Sequence, residues 1–323
     1  MVKNLGATRS PTVGALALLA IAICWGSTFF STKEVLDRIP TTDYAAIRFG
    51  IAVIVLVAIS PKSLRMPLKV LGQASIIGVV FAGAMLTQLF GLKEVSASVS
   101  GFITGLYVVV TPLLGALMFK VRTKGVAWVA VGLATVGLAV LSINLGTGVL
   151  FGRGEWMTLI SAMLWGLHIS LVGHWVRPEN AMSLTIVSTA VATVIFLIGG
   201  LRDGLTLPST PTDWAWMLYF GVIVGAITEF GQFWAQARVP ATLAAVLMVT
   251  EPLWATVFAL LFGGEVLTTR LVIGGLLMIT AMVISVWASR PDQSTSAEVA
   301  PASSDVPLGT PESTTANPIG PSS

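Results

Sequence analysis

Along this chain, apolar residues run in long unbroken blocks separated by short polar gaps, with no period-two alternation. The blocks cover roughly residues 12–31, 42–60, 68–91, 95–119 and 125–144, then 154–176, 181–200, 212–236, 240–262 and 269–289. Each is close to the ~20 residues that a helix needs to cross the hydrocarbon core of a bilayer. A barrel strand needs only about 10 residues and alternates apolar with polar positions. The pattern predicts an all-α membrane protein with ten transmembrane helices. Pro112, Pro252, Gly83, Gly132 and Gly275 fall inside the blocks. Membrane helices tolerate such residues because neighbouring helices and side chains take up the freed backbone groups.

Composition agrees and excludes a soluble enzyme. Charged residues are 10% of the 323 and hydrophobic ones 55%, against roughly 25% charged in an ordinary globular domain. Ten spans use most of the chain and leave no room for a soluble catalytic domain. The net charge is +3, but the basic residues lie dispersed in the gaps, so nucleic-acid partners find no support. Cys24 is the single cysteine, which excludes an intrachain disulfide and a cysteine-based zinc site. The first block follows Lys3 and Arg9 as a signal peptide would, but no convincing small-residue cleavage site follows. It is expected to be retained as the first membrane helix.

Lys and Arg in the gaps predict the orientation. One side carries Lys3, Arg9, Lys62, Arg65, Lys69, Lys120, Arg122, Lys124, Arg177, Arg238 and Arg290; the other carries Lys33, Arg38, Lys93, Arg153, Arg202 and Arg270. The positive-inside rule then places both termini in the cytoplasm and the protein in the plasma (inner) membrane. The first half carries most of this bias. Trp156, Trp175, Trp214, Trp216 and Trp287 near span ends read as interfacial anchors. From Pro291 onward the chain is rich in Ser, Thr, Pro and Ala, the composition of a disordered tail.

The chain also repeats itself. CWGSTFF (24–30) resembles LWGLHIS (164–170) at an offset of 140, and QLFGLKEVSASVSGF (88–102) resembles QFWAQARVPATLAAV (232–246) at 144. WVAVGLATVGLAVLS (128–142) resembles LVIGGLLMITAMVIS (271–285) at 143. The matches are in order and anchored by Trp25/Trp165, Gln88/Gln232 and Gly132/Gly275. Five spans per copy is an odd number, so the second copy enters the membrane from the opposite side. The expected organisation is a cytoplasmic segment (1–11), a first five-helix repeat (12–144), a connecting loop (145–153), an inverted second repeat (154–289) and a disordered cytoplasmic tail (290–323). Inverted repeats suit alternating access around a midplane site.

Together these residues resemble a known family. WGSTF in the first span, Arg48-Phe49 in the second and GFITGLYVVVTPLLGAL (101–117) are similar to the drug/metabolite transporter superfamily. AAVLMVTEPLWATVFALLFGGE (244–265) and the GGLLMITAMVIS after it resemble the second copy of its EamA-type domain. The resemblance implies ten helices, an inverted five-plus-five repeat and movement of small metabolites, often amino acids. The family's usual Glu in the last-but-one loop is present as Glu265. Its first-copy counterpart falls in the basic FKVRTK stretch (119–124), a departure that bears on packing or orientation rather than on function.

Ionisable groups inside spans are costly, roughly 2.5–3.5 kcal/mol at a helix centre on insertion scales, and usually face an interior. Glu251 stands near the middle of the ninth block, before Pro252, which removes a backbone donor and can kink a helix. The offset of 144 pairs Glu251 with Tyr107. Glu251 is a candidate amine contact or proton carrier; the alternative is a buried Glu satisfied by a neighbouring helix. Glu229, Gln232 and Gln236 share one helix face, and Gln88 is the counterpart of Gln232; pathway lining and interhelical bonding are both open for them. His168 is either a titrating group or a packing residue. Arg48, a turn or two into its span, reads as structural, snorkelling outward or pairing with Asp43, Asp37 or Glu34, with substrate contact the alternative. Trp25, Trp165 and Trp254 lie deep in spans as cavity walls, a cation–π surface or packing. Ser27, Thr28 and Thr104 either offer hydroxyls or bond their own helix backbone. Gly101, Gly105, Gly132 and Gly137 are expected at close helix approaches. Pro112 and Pro252 are structural or gating candidates.

These features favour a secondary transporter, not an enzyme, that moves a small amino-acid-like metabolite by alternating access. Export is the expected direction, and protons are a candidate coupling ion. No GxxxxGK[ST] loop is present to cradle ATP, and no cofactor or metal is expected. A membrane enzyme would need clustered acid, base or metal groups, whereas the chain has only His168 and His174 and no HExxH spacing. A membrane-embedded sensor or assembly component, or an uptake permease for another metabolite, are the alternatives. The expected partners are the lipid bilayer and a small-molecule substrate. Oligomeric state is open.

Overall fold

The structure is a computed structural model that describes residues 11–119, 125–142, 152–202, 204–238, 247–248 and 250–288. The expected N-terminal segment, the basic stretch 120–124, most of the connecting loop and the tail lie outside the described residues. Among those described, all regular structure is helical. The first half contains α1 (Pro11–Leu36), α2 (Thr41–Ile59), α3 (Leu68–Glu94), α4 (Ala97–Gly105), α5 (Tyr107–Phe119) and α6 (Gly125–Ser142). The second contains α7 (Arg153–Trp175), α8 (Ala181–Gly200), α9 (Pro211–Leu218), a π-helical stretch (Tyr219–Ile227), α10 (Thr228–Gln236), α11 (Glu251–Leu261) and α12 (Thr269–Ala288).

Six described helical spans are long and apolar enough to cross a bilayer: Val13–Leu36, Thr41–Ile59, Leu68–Glu94, Arg153–Trp175, Ala181–Gly200 and Pro211–Gln236. Four shorter apolar stretches accompany them, Ala97–Thr111, Trp128–Leu141, Glu251–Leu261 and Thr269–Ile284. Ile54, Leu117, Ile198 and Leu276 are all more than half exposed. So much apolar surface suits lipid, not water. Trp156 and Trp214 also point outward. Trp216 is half-buried and stacks on Phe220, centroids 5.5 Å apart.

Two spans differ from the expected continuous helices. In the fourth, a single turn residue, Leu106, whose backbone angles stay helical, separates α4 from α5. In the ninth, Leu247 and Met248 are helical, Thr250 lies in a turn, and α11 begins at Glu251. Glu251 is therefore not in mid-helix, and Pro252 does not kink a continuous helix. Pro252 occupies the first turn of α11, where its missing N–H leaves no bond unmade. The eighth span changes from α to π and back, a local underwinding that marks functional segments elsewhere.

Glycines set several helix crossings. A Cβ on Gly26 of α1 would lie 2.5 Å from Trp254 Cβ on α11, and one on Gly166 of α7 would lie 2.9 Å from Val110 Cγ1 on α5. Gly78 of α3 meets Ser188 and Val191 of α8, while Gly221 of the π stretch meets Arg48 and Ile51 of α2. Gly101 and Gly105 of α4 take Ala255 and Pro252 of α11, and Gly137 of α6 faces Gly274 and Met278 of α12. Gly132, expected at a close approach, has no atom within 4 Å of its added Cβ; its side of α6 is open.

Polar contacts gather at one end of the bundle. Lys33 near the end of α1 donates to the Val95 carbonyl. Glu265 accepts from Ala97 N at 2.6 Å, placing a carboxylate at the positive N-terminus of α4. Arg153 at the start of α7 pairs with Glu94 at 3.6 Å. Arg38 pairs with Asp213 at 2.8 Å, and Asp43 accepts from Thr206 N at 2.9 Å. The segments after α1, α3, α8 and α11 and before α7 thus meet at that end.

Candidate functional site

Three helix features build the site. Leu106 interrupts the fourth span, so Tyr107 opens α5; Thr250 interrupts the ninth, so Glu251 opens α11. The α1 and α7 helices bring in their Trp-Gly pairs, where the absent Cβ of Gly26 and Gly166 lets each helix lie against a broken span. The third and eighth spans supply Gln88, and Glu229 with Gln232.

A narrow cavity of about 50 Å³ lies between these elements. Of the expected pathway residues, Trp25, Thr28, Gln88, Tyr107 and Trp165 line it from the first, third and fourth spans and α7. Glu229, Gln232 and Glu251 line it from α10 and α11. Arg48 lines it too.

Hydrogen bonds fix much of the wall. The Tyr107 hydroxyl donates to Glu251 Oε2 at 2.7 Å and lies 3.2 Å from the Met248 carbonyl. Trp165 Nε1–H donates to Gln88 Oε1 at 3.2 Å, and Gln88 Nε2 donates to Thr104 at 3.3 Å. Trp25 Nε1–H donates to Thr228 Oγ1 at 2.8 Å. Both indoles are thereby anchored, their rings forming walls. Thr28 spends its proton on the Trp25 carbonyl, and Ser27 on that of Cys24. Thr28 therefore offers the cavity lone pairs rather than a donor.

Other groups on the wall are unsatisfied. Gln232 is fully buried and neither of its amide atoms has a partner. Glu229 is 3% exposed and forms no hydrogen bond or ion pair with the described residues. Buried polar groups are nearly always paired, so these two are groups awaiting a ligand or water. Gln236, on the same helix face, is not part of the lining, and its Oε1 also lacks a partner.

Arg48 departs from expectation. It neither snorkels outward nor pairs with a carboxylate. Asp43 is taken by the backbone of Thr206 and Glu34 by Arg38. Arg48 is 4% exposed, its Nη1–H donating to the Tyr44 hydroxyl at 3.2 Å. The α2 helix packs closely against the π stretch through Gly221 and Gly225, which leaves the side chain no route outward. Its position a turn or two inside an apolar span was the available signal; the direction it faces needed the packing.

The remaining expected residues lie elsewhere. His168 is buried behind Trp165 among the rings of Phe81, Trp165 and Phe233, outside the cavity lining. Trp254 packs on Gly26 and Phe258, and Pro252 on Gly105. Pro112 lies in α5, described through its backbone alone. Met85, Ile169 and Met248 join the apolar lining; nothing in their sequence context separates them from other core residues.

Known proteins agree with this architecture. The EamA-like transporter family matches the chain twice, over residues 12–143 and 152–287. An uncharacterized transporter of Archaeoglobus fulgidus is 26% identical over 83% of this chain and 84% of its own length. The uncharacterized transporter YetK of Bacillus subtilis is 25% identical over 76% of this chain and 79% of its own. The uncharacterized inner membrane transporter YedA of Escherichia coli K12 is 24% identical over 78% and 83%. A solved crystal structure superposes with a TM-score of 0.64 at 17% identity, covering 85% of this chain and 97% of that one, a likeness of fold. With apolar helices of membrane length and two domain matches spanning most of its residues, the chain is a multi-pass membrane protein and belongs to the EamA-like transporter family.

Proposed function

We propose that the protein is a secondary transporter, not an enzyme, which moves a small amino-acid-like metabolite out of the cell. The substrate passes through the cavity by alternating access between two inverted five-helix repeats, 12–144 and 154–289. In this reading a cytoplasmic segment (1–11) and tail (290–323) flank the repeats, and 145–153 connects them. Both termini are cytoplasmic, and protons are the candidate coupling ion.

The observation that carries the reading is that residues equivalent by the repeat offset meet around one cavity. Tyr107 and Glu251, 144 apart, each open a half-helix and bond one another. The neighbour pattern supports it further. The α2 helix packs on α8, α4 on α11 and α6 on α12, while α3 meets α7 as α1 meets α10. The glycine contacts exchange in the same way: Gly78 with Ser188 and Val191, Gly221 with Arg48 and Ile51, each partner shifted by 140. Discontinuous helices ending at a central cavity are a recurring device of alternating access.

The test is counterflow in proteoliposomes holding the full-length protein, preloaded with unlabelled L-amino acids and offered labelled ones. Saturable exchange of at least one amino acid, absent from empty vesicles, is expected. Vesicles that exchange none of them would overturn the amino-acid reading. Direction is read from accumulation in overexpressing against deletion cells; export predicts a lower internal pool in the former.

A further inference from the structure

The cavity holds an arginine that nothing in the described protein neutralises at contact distance. Arg38 pairs with Glu34 and Asp213, and Arg153 with Glu94, whereas Arg48 forms no ion pair with a described residue. Its guanidinium carbon sits 4.8 Å from the Phe49 ring centre, 5.7 Å from that of Phe220 and 6.0 Å from that of Tyr44. The Tyr44 hydroxyl takes one Nη1–H, and Nε has no partner. Ring faces attract a cation but accept no N–H bond of normal strength, so they hold the guanidinium in place without satisfying its fork. A guanidinium presents a planar set of donors matched to a carboxylate.

A second ionisable group faces the same space. Glu229 lines the cavity with no hydrogen-bond partner among the described residues, whereas Glu251 already accepts from Tyr107. Arg48 in its aromatic cradle on α2 and Glu229 on α10, one turn from the unpartnered amide of Gln232, form no ion pair with each other. A cavity lined by both suits a molecule that is itself an anion at one end and a cation at the other.

We infer that Arg48 is the receptor for the carboxylate of the transported molecule and Glu229 the receptor for its ammonium group, so that the substrate lies across the cavity with its anionic end toward α2. The inference rests on the transporter reading and deepens it: the substrate is zwitterionic and enters in one orientation. An ester or a decarboxylated amine loses the Arg48 contact and leaves that cation bare.

The experiment uses full-length protein in detergent, with melting temperature read against glycine, acetate and methylamine. Glycine and acetate are expected to raise the melting temperature of the wild type, and both shifts to vanish in Arg48→Gln. The methylamine shift persists in Arg48→Gln and vanishes in Glu229→Gln. No shift with any of the three probes on the wild type overturns the inference, as does a glycine shift that survives in Arg48→Gln. A ligand-free Arg48→Gln that melts lower, and is restored by adding Glu229→Gln, also overturns it, since Arg48 would then be the internal counter-ion of Glu229. In vesicles, any amino acid that exchanges should outpace its methyl ester and its decarboxylated amine by about tenfold or more; equal rates refute the carboxylate contact. Arg48-dependent glycine binding without exchange of any amino acid would instead sink the transport reading and spare the assignment of Arg48.

Discussion

The Tyr107 hydroxyl and the Glu251 carboxylate, 144 positions apart, are joined by a hydrogen bond of 2.7 Å. Each residue is the first of a half-helix, and the bond ties the two half-helices together beside the cavity. Glu251→Gln is expected to lower exchange in proteoliposomes by about tenfold or more, with Tyr107→Phe the milder change. If Glu251 carries protons, wild-type exchange varies with pH and the Glu251→Gln protein loses that variation. A flat wild-type profile would exclude the proton role.

Crowding at Gly26 gives a prediction about stability. An added Cβ would meet Trp254 Cβ at 2.5 Å and Ala255 N at 2.8 Å. Gly26→Ala should therefore cost about 1–3 kcal/mol, the usual range for overpacking. Gly132→Ala, where nothing lies within 4 Å, is the control and should leave the melting temperature unchanged. Equal melting of the two variants would disprove this account of the α1–α11 crossing.

Glu265 accepts from Ala97 N and Ser98 N at the start of α4. Glu265→Ala removes those acceptors, while the Ser96 side chain still accepts from Val99 N. A loss of about 1 kcal/mol is expected, in line with other helix caps. Hydrogen exchange should quicken at Ala97 and Ser98 more than at Val99. Unchanged exchange there would remove Glu265 from the helix terminus.

Orientation is open to direct labelling. On a background with Cys24→Ala, cysteines at the exposed positions Lys62 and Arg202 should react with an impermeant maleimide from opposite sides. Position 202 is expected to label in intact cells, and position 62 only after the membrane is opened. The reverse pattern would turn the molecule over.

Much of this was legible in the sequence. The Tyr107–Glu251 pairing was signalled by the repeat offset, which gives the two residues equivalent places in two copies of one domain. Apolar run length located the spans for the same elementary reason: a bilayer has a fixed thickness. The interruption at Leu106 was hidden among apolar neighbours, since a membrane helix can stop where tertiary contacts satisfy the backbone; at Thr250 the Thr-Glu-Pro run signalled a disturbance but not that α11 begins at Glu251. The π stretch hid the angular phase of the eighth span, because i→i+5 bonding shifts the facing of every later residue. The facing of Arg48 was hidden for a different reason. Periodicity says how deep a side chain starts, and only the packing of Gly221 and Gly225 on α2 says which way it can turn.

The polar contacts gathered at one end carry a last consequence. Arg153 and Glu94 there are both well exposed, and an exposed pair of this kind contributes only about 0–1 kcal/mol. Asp43 and Asp213 at the same end are each 2% exposed, so the rim joins loose pairs to enclosed ones. In the transport cycle proposed above, the loose pairs trade one another for water at little cost, and the enclosed carboxylates set how firmly that end is held.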